Sequence, residues 1–282
     1  MRGLKIAVSG KGGVGKSTLA AALCRIFSGK GKKVIAIDAD PDSNLASALG
    51  LPQELLSKIR PLAREAALIQ QRTGAIPGRA GQMFSLSPEV ADIAQKYGLE
   101  YSGVSLLVLG AVKSGGGGCA CPENVFLRKL IRHLVLRDDE TVVVDMEPGI
   151  EHLGRATAQG VDAMIIVLEP GTRSRETARR IISLSKDIGL ENKLFFVLNK
   201  MRNGGDERAL MSKDFGMIEV LGKIPFDERF VDADCKGVNV LDLPGSDDLE
   251  AWFEKIADRL LTIENKKGSG GGSVPLGFSQ PA

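Results

Sequence analysis

Lys16 and Ser17 close the run Gly10-Lys11-Gly12-Gly13-Val14-Gly15-Lys16-Ser17, which fits the phosphate-binding pattern G-x-x-x-x-G-K-S/T. Each residue type has a chemical reason. Glycines let the backbone wrap closely enough for successive N–H groups to point at phosphate oxygens. Gly12, Gly13, Val14 and Gly15 would form that cradle, and the helix start through Thr18 adds a favourable field for an anion. A lysine at position 16 reaches the β- and γ-phosphates, and the hydroxyl of Ser17 can bind Mg²⁺. An apolar run, Leu4 to Val8, precedes the loop and a helix-favouring segment, Lys16 to Ile26, follows it. That strand–loop–helix context separates a working loop from a chance match.

Other chemically capable residues also stand where apolar runs end. Lys33 to Ile37 runs into Asp38-Ala39-Asp40-Pro41-Asp42-Ser43-Asn44. Carboxylates after a strand are where an α/β enzyme places site residues, although Asp42 or Ser43 could equally cap the next helix. Thr141 to Val144 ends in Asp145-Met146-Glu147-Pro148-Gly149. An aspartate in that position holds Mg²⁺, usually through water, and Pro148-Gly149 lets the chain turn close to a γ-phosphate. Lys193 to Leu198 ends in Asn199-Lys200, and Val220 to Ile224 leads to Pro225-Phe226-Asp227.

The four cysteines are Cys24, Cys119, Cys121 and Cys235. Cys24 falls within the first helix as a small core residue. Cys119 and Cys121 follow four consecutive glycines. In an extended segment, residues two apart point the same way, so both thiols can face one point. Thiolates suit soft or borderline divalent metals, but two are too few for a closed four-coordinate site. A dimer with the pair on its two-fold axis would supply four. A redox pair or two incidental thiols are the other readings of C-x-C.

Lys11 is a second lysine that an ordinary phosphate loop does not need. With it, KGGVGKS resembles the deviant Walker A motif of the MinD/ParA/nitrogenase iron protein class. That resemblance implies that Lys11 reaches across a dimer interface to the other subunit's nucleotide. It further implies that Asp40 places the attacking water, that Asp38 supports the Mg²⁺ shell, and that Asn199 meets the adenine edge, with Pro225 and Asp227 bordering the base. Adding C-x-C and the continuation Asp145-Met146-Glu147-Pro148-Gly149-Ile150-Glu151-His152 narrows the resemblance, over roughly residues 4 to 263, to CooC-type ATPases. These are nickel-insertion accessory proteins of carbon monoxide dehydrogenase and its acetyl-CoA synthase relatives. Pro148 stands where typical relatives carry alanine. The resemblance implies an ATP-hydrolysing homodimer that binds Ni²⁺ or Zn²⁺ through paired Cys119 and Cys121, with the apo-enzyme as client. Two rival classes remain at this point. A positioning ATPase of the MinD/ParA type would bind a membrane or DNA. An iron–sulfur carrier would use cluster cysteines widely separated in sequence, unlike C-x-C. His152 could touch nucleotide, metal or partner, or start a helix; His133 reads as structural.

These residues need a scaffold that brings strand ends to one edge. Strands alternating with helices predict a doubly wound, mostly parallel sheet of about seven or eight strands, the P-loop NTPase fold. Residues 1–265 of the 282 form one ATPase domain. Within it, residues 50–104 read as an insertion on the nucleotide face, open to partner contacts or simple elaboration. Leu55 to Ile69 has helical spacing, and Ser87-Pro88-Glu89 starts a second short helix reaching about Lys96. Leu249 to Ile263 is an amphipathic terminal helix whose Glu254 and Asp258 stand where a membrane anchor would be basic. Residues 266–282, with Gly268-Ser269-Gly270-Gly271-Gly272-Ser273, are a flexible tail, native or a cloning linker. A net charge of +2 gives no reason to expect nucleic acid or a membrane surface. The N-terminus runs directly into the first strand, so a cytoplasmic protein is expected.

Overall fold

The computed structural model describes residues 3–79, 81–110, 121–136, 140–148, 155–158, 160–211, 215 and 218–268. The strands are β1 (Lys5–Gly10), β2 (Val34–Ala39), β3 (Leu99–Tyr101), β4 (Val104–Val108), β5 (Thr141–Met146), β6 (Ala163–Leu168), β7 (Leu194–Met201) and β8 (Glu219–Pro225). The helices are α1 (Lys16–Gly29), α2 (Leu45–Ala48), α3 (Gln53–Leu56), α4 (Ala66–Thr73), α5 (Ile93–Tyr97), α6 (Pro122–Leu136), α7 (Arg155–Ala158), α8 (Thr172–Asp187), α9 (Gly204–Leu210), α10 (Arg229–Lys236) and α11 (Asp247–Gly268).

The strands form one sheet in the order β3-β4-β2-β5-β1-β6-β7-β8. All pairings are parallel except β3 with β4. Strands β1, β2, β5 and β6 are buried along their whole length, as a parallel sheet covered on both faces requires. Alternate residues feed two cores. Ile6 and Val8 join the cluster beneath α1 and α11, while Ala7 joins the cluster beneath α6 and α8. Between β1 and β2 the chain crosses over the place that β5 later fills, and β6 lies on the other side of β1. Such a reversal leaves a crevice at the carboxyl ends of the strands, and β1, β2, β5, β6 and β7 all end there.

The expected helix from Leu55 to Ile69 does not form as one piece. Pro61 lacks an N–H and disfavours helical geometry in the residue before it, so the chain makes α3, a 3₁₀ turn over Leu62–Arg64 and then α4. The Ala63 N–H donates to Leu109 O beyond the end of β4 (2.8 Å), which ties the segment to the sheet edge. The helix expected from Ser87 is confined to Ile93–Tyr97. β3 was not anticipated. It pairs with β4 through a two-residue turn whose Ser102 and Gly103 have φ of 49° and 74°, the left-handed pair of a type I′ hairpin.

Candidate functional site

Gly13 (φ 73°) and Gly15 (φ 96°) hold left-handed backbone in the loop between β1 and α1. A Cβ on Gly15 would also fall 2.4 Å from Asn199 Nδ2, so only glycine fits there. Lys16 opens α1 and is buried, with Nζ 3.5 Å from Asp40 Oδ2. A cation in that position exchanges a carboxylate for phosphate oxygens when a nucleotide enters.

Asp38 and Asp145 are register partners on adjacent strands, so their side chains leave the same face. Both are fully buried. Burial, followed by the charge of Asp145, pushes the Asp38 carboxyl up to about 7. Burial likewise lifts Asp145 to about 6, against the opposing pull of the Ser17 hydroxyl and the Lys16 ammonium. Asp38 is occupied: Oδ1 accepts from Asp40 N–H (3.3 Å) and Oδ2 from Leu45 N–H (3.1 Å). It therefore pins the turn that carries Asp40 and starts α2. The expected caps Asp42 and Ser43 do not act at this helix, since Asn44 is the N-cap residue and makes no side-chain cap. Asp40 is itself buried, and its Oδ1 accepts from Asp42 N–H (3.1 Å).

Asp145 differs. Both of its carboxylate oxygens are buried, and among the described residues neither makes a full hydrogen bond, although the Ser17 hydroxyl lies near enough to act on the carboxylate. Such a group is costly unless a cation completes it. Hard oxygen donors from Asp145 and Ser17, beside a phosphate-binding loop, match what Mg²⁺ requires. The site thus fits Mg²⁺: Ser17 and Asp145 would face the ion, with Asp38 in register beside Asp145.

The structure gives contacts to two strand-end residues that were assigned no role of their own from sequence, Glu169 and Lys200. Lys11 Nζ meets Glu169 Oε1 at 2.7 Å, and Lys200 Nζ meets Glu169 Oε2 at 2.9 Å. Lys200 also donates to Gly13 O (2.6 Å) and holds a left-handed φ of 56°. Burial opposes ionisation of Glu169, but the two ammonium groups outweigh it and hold the carboxyl below its usual range. Within one chain, then, Lys11 is folded back onto β6. The signal for Glu169 was its place at the end of an apolar run, the rule that found Asp145.

Asn199 ties β7 to the loop, with Nδ2 donating to Val14 O (2.8 Å) and Oδ1 accepting from Lys200 N–H (2.9 Å). One amide proton and one lone pair remain, a donor–acceptor edge of the kind an adenine presents in return. Beside it lies a cavity of about 410 Å³, bounded by Gly13, Gly15, Lys16, Ser17, Thr18 and, farther out, by Pro225, Phe226, Asp227 and Val231. It is large enough for a nucleoside. Asp227 borders the cavity, but its carboxylate is engaged by Arg229 (2.7 Å).

Cys121 is half-buried and directly precedes α6. A helix N-terminus favours negative charge, as on a thiolate. Cys119 lies outside the described residues, as do Gly149, Ile150, Glu151 and His152. His133 is half-buried within α6. Among the described residues no group of three or more His, Cys, Asp or Glu is placed to hold a metal, and no helix is long and apolar enough to cross a membrane.

Residues 5–240 match the CobQ/CobB/MinD/ParA nucleotide binding domain. The carbon monoxide dehydrogenase accessory protein CooC of Rhodospirillum rubrum is 43% identical over 85% of this chain and 90% of its own length. An uncharacterized ATP-binding protein of Methanocaldococcus jannaschii is 42% identical over 90% of this chain and 97% of its own. Among solved structures, the MinC:MinD cell division protein complex of Aquifex aeolicus matches with a TM-score of 0.62 at 21% identity, covering 97% of this chain and 98% of that one. A ParA family ATPase from Chlorobium tepidum matches at 0.64 and 17%, covering 92% and 98%. At those identities the two structures speak to the fold alone. Phosphate loop, orphaned strand-end carboxylate and close relatives agree: the chain is an ATPase of the CobQ/CobB/MinD/ParA nucleotide-binding family and, within it, belongs to the CooC-type accessory ATPases.

Proposed function

We propose that the chain is an ATP-dependent dimeric metallochaperone that carries Ni²⁺ on Cys119 and Cys121 and promotes its insertion into carbon monoxide dehydrogenase or acetyl-CoA synthase. The observation that carries this reading is the place of Cys121. It stands at the start of α6, which packs on the face of the sheet opposite α1, while the chain shares 43% identity with a carbon monoxide dehydrogenase accessory protein. The glycines before Cys119 allow two such segments to approach each other.

In this reading ATP lies along the loop 10–17, with its base against Asn199, Pro225 and Asp227. Lys16 leaves Asp40 for the β- and γ-phosphates, freeing Asp40 to orient water for attack on the γ-phosphorus. The bond from that phosphorus to the β-bridging oxygen breaks, giving ADP and phosphate. Ser17 and Asp145, with Asp38 in support, would hold Mg²⁺, which would supply positive charge against that building on the leaving oxygen. Lys11 releases Glu169 and reaches the nucleotide of the other subunit, so closure completes both ATP sites. The same closure brings two C-x-C pairs together as four thiolates, enough for one tetrahedral site. Metal and ATP then prefer the same closed state, so hydrolysis lowers metal affinity.

The test is the double variant Cys119→Ala with Cys121→Ala, titrated anaerobically with Ni²⁺ and followed by thiolate charge-transfer absorbance and by mass. Stoichiometric Ni²⁺ binding disappears while ATP affinity stays within about twofold, because neither cysteine belongs to the phosphate loop or to the strand ends assigned to the nucleotide. Retention of one Ni²⁺ per dimer by the double variant would refute the metal assignment. Zn²⁺ titrated in parallel reports whether the site discriminates between the two ions.

A further inference from the structure

The chain between α4 and α5 closes on itself. Ser85 N–H donates to Thr73 O (2.8 Å), bringing together the ends of a loop of Ω type. Gln82 secures its interior: Oε1 accepts from Ile76 N–H (2.9 Å), and Nε2 donates to Ile76 O (2.8 Å) and Arg79 O (2.7 Å). Two contacts fasten the loop to α6. Gly78 N–H donates to Glu123 Oε1 (3.0 Å), and Lys129 Nζ reaches Ser87 Oγ at 3.5 Å. Glu123 is buried, its Oε2 has no hydrogen-bond partner among the described residues, and it stands two residues after Cys121.

With the Gln82 amide spent on the loop's own backbone, the loop leaves apolar side chains exposed. Met83 is 96% exposed, Leu86 72% and Ile76 38%. Isolated apolar residues on a surface need no explanation, but three within 11 positions of a secured loop mark an interaction site. The rim is cationic. Residues 74–90 and 121–136 carry Arg79, Arg128, Lys129 and Arg132 against Glu89 and the buried Glu123. Arg79 and Arg132 are exposed and form no ion pair among the described residues.

We propose that Ile76, Met83 and Leu86, rimmed by Arg79, Lys129 and Arg132, form the docking surface for the metal-receiving enzyme, which offers an apolar groove edged by carboxylates. The charge argues against a second copy as occupant, because two such surfaces would set cations against cations. The hydrogen bond from Gly78 to Glu123 ties this loop to the first turn of α6, two residues from Cys121, so a receiver docked on the loop would lie near the proposed metal ligand. This inference rests on the metallochaperone reading above.

The experiment measures binding of the full chain, loaded with Ni²⁺ and Mg²⁺-ATP, to immobilised apo-carbon monoxide dehydrogenase and, separately, to apo-acetyl-CoA synthase by interferometry. Met83→Ser with Leu86→Ser weakens binding to the client at least tenfold, and Arg79→Glu weakens it mainly through the association rate and less at high salt. Both variants keep wild-type Ni²⁺ stoichiometry, ATPase rate and ATP-dependent dimerisation by light scattering, because the altered side chains lie in solvent. Unchanged client affinity overturns the docking surface while leaving the metallochaperone reading intact. Loss of dimerisation instead makes a second copy the occupant and also overturns it. A wild-type chain that binds neither apo-enzyme overturns the client reading and the docking surface with it.

Discussion

Asp145→Asn gives a protein that melts about 5 °C higher than wild type in the absence of Mg²⁺ and hydrolyses ATP at least about 100-fold more slowly. Both effects come from one buried carboxylate whose neighbours do not offset the cost of its burial. Asp145 lies at the carboxyl end of β5, its oxygens lack a full hydrogen bond among the described residues, and burial has lifted it from 3.8 to about 6. At about 1.4 kcal/mol per pKa unit, its charge weakens the metal-free fold at neutral pH by about 3 kcal/mol. A carboxyl raised in the folded state withholds stability above its folded value and returns it as pH falls towards the unfolded one. The gain from asparagine is therefore largest above pH 7 and fades towards pH 4. Asp38, relieved of the adjoining charge, moves back towards the ordinary carboxylate range. Mg²⁺ with ATP should raise the melting temperature of wild type, since it binds the folded state alone, and should barely move the variant. Calorimetry with and without Mg²⁺, across pH, decides the matter. If Asp145→Asn destabilised the metal-free protein, the carboxylate would have a structural partner and the Mg²⁺ assignment would lose its basis.

The parts of the site that the sequence revealed share one property. Parallel strands buried on both faces are unbroken apolar runs, so a polar residue at the end of one stands out. Asp38 in β2, Asp40 just after it, Asp145 in β5 and Asn199 in β7 were found that way, while Lys16 and Ser17 came from the glycine pattern that follows β1. Glu169 obeys the same rule after β6. Its partnership with Lys11, 158 positions away, depends on β6 lying next to β1 and β7. Strand order is a property of the folded sheet and leaves no mark on local spacing. The insertion failed for a different reason. Apolar spacing from Leu55 to Ile69 satisfied a helical period, but Pro61 broke the hydrogen-bond ladder and β4 offered the backbone a better acceptor. β3 was missed because three half-exposed residues carry too little alternation to register, although Ser102-Gly103 marked its turn. The role of Cys119 and Cys121 was legible only as spacing.

Lys11→Ala should bind ATP with nearly wild-type affinity and hydrolyse it about 10³-fold more slowly, as expected for a cation supplied in trans to a phosphoryl group. The structure makes the direction of supply testable. In one chain Lys11 is paired with Glu169 rather than pointed at its own phosphate loop. If it acts across the interface, mixing Lys11→Ala with Asp40→Asn, each inactive alone, restores activity. In the mixed dimer the chain that keeps Asp40 receives Lys11 from the other, so one of its two sites is complete. Random exchange makes half of the dimers mixed, which gives about a quarter of wild-type activity. If Lys11 acts within its own chain, every site lacks one essential group and mixing restores nothing. Glu169→Gln extends the argument. It removes the counter-charge that holds Lys11 in place, so ATP-dependent dimerisation shifts to lower protein concentration. It also loosens Lys200, whose Nζ is shared between Glu169 and Gly13 O, so ATP binds more weakly. Tighter dimerisation with weaker nucleotide binding is a combination that general damage to the fold would not produce, and it separates a holding role for Glu169 from a merely structural one.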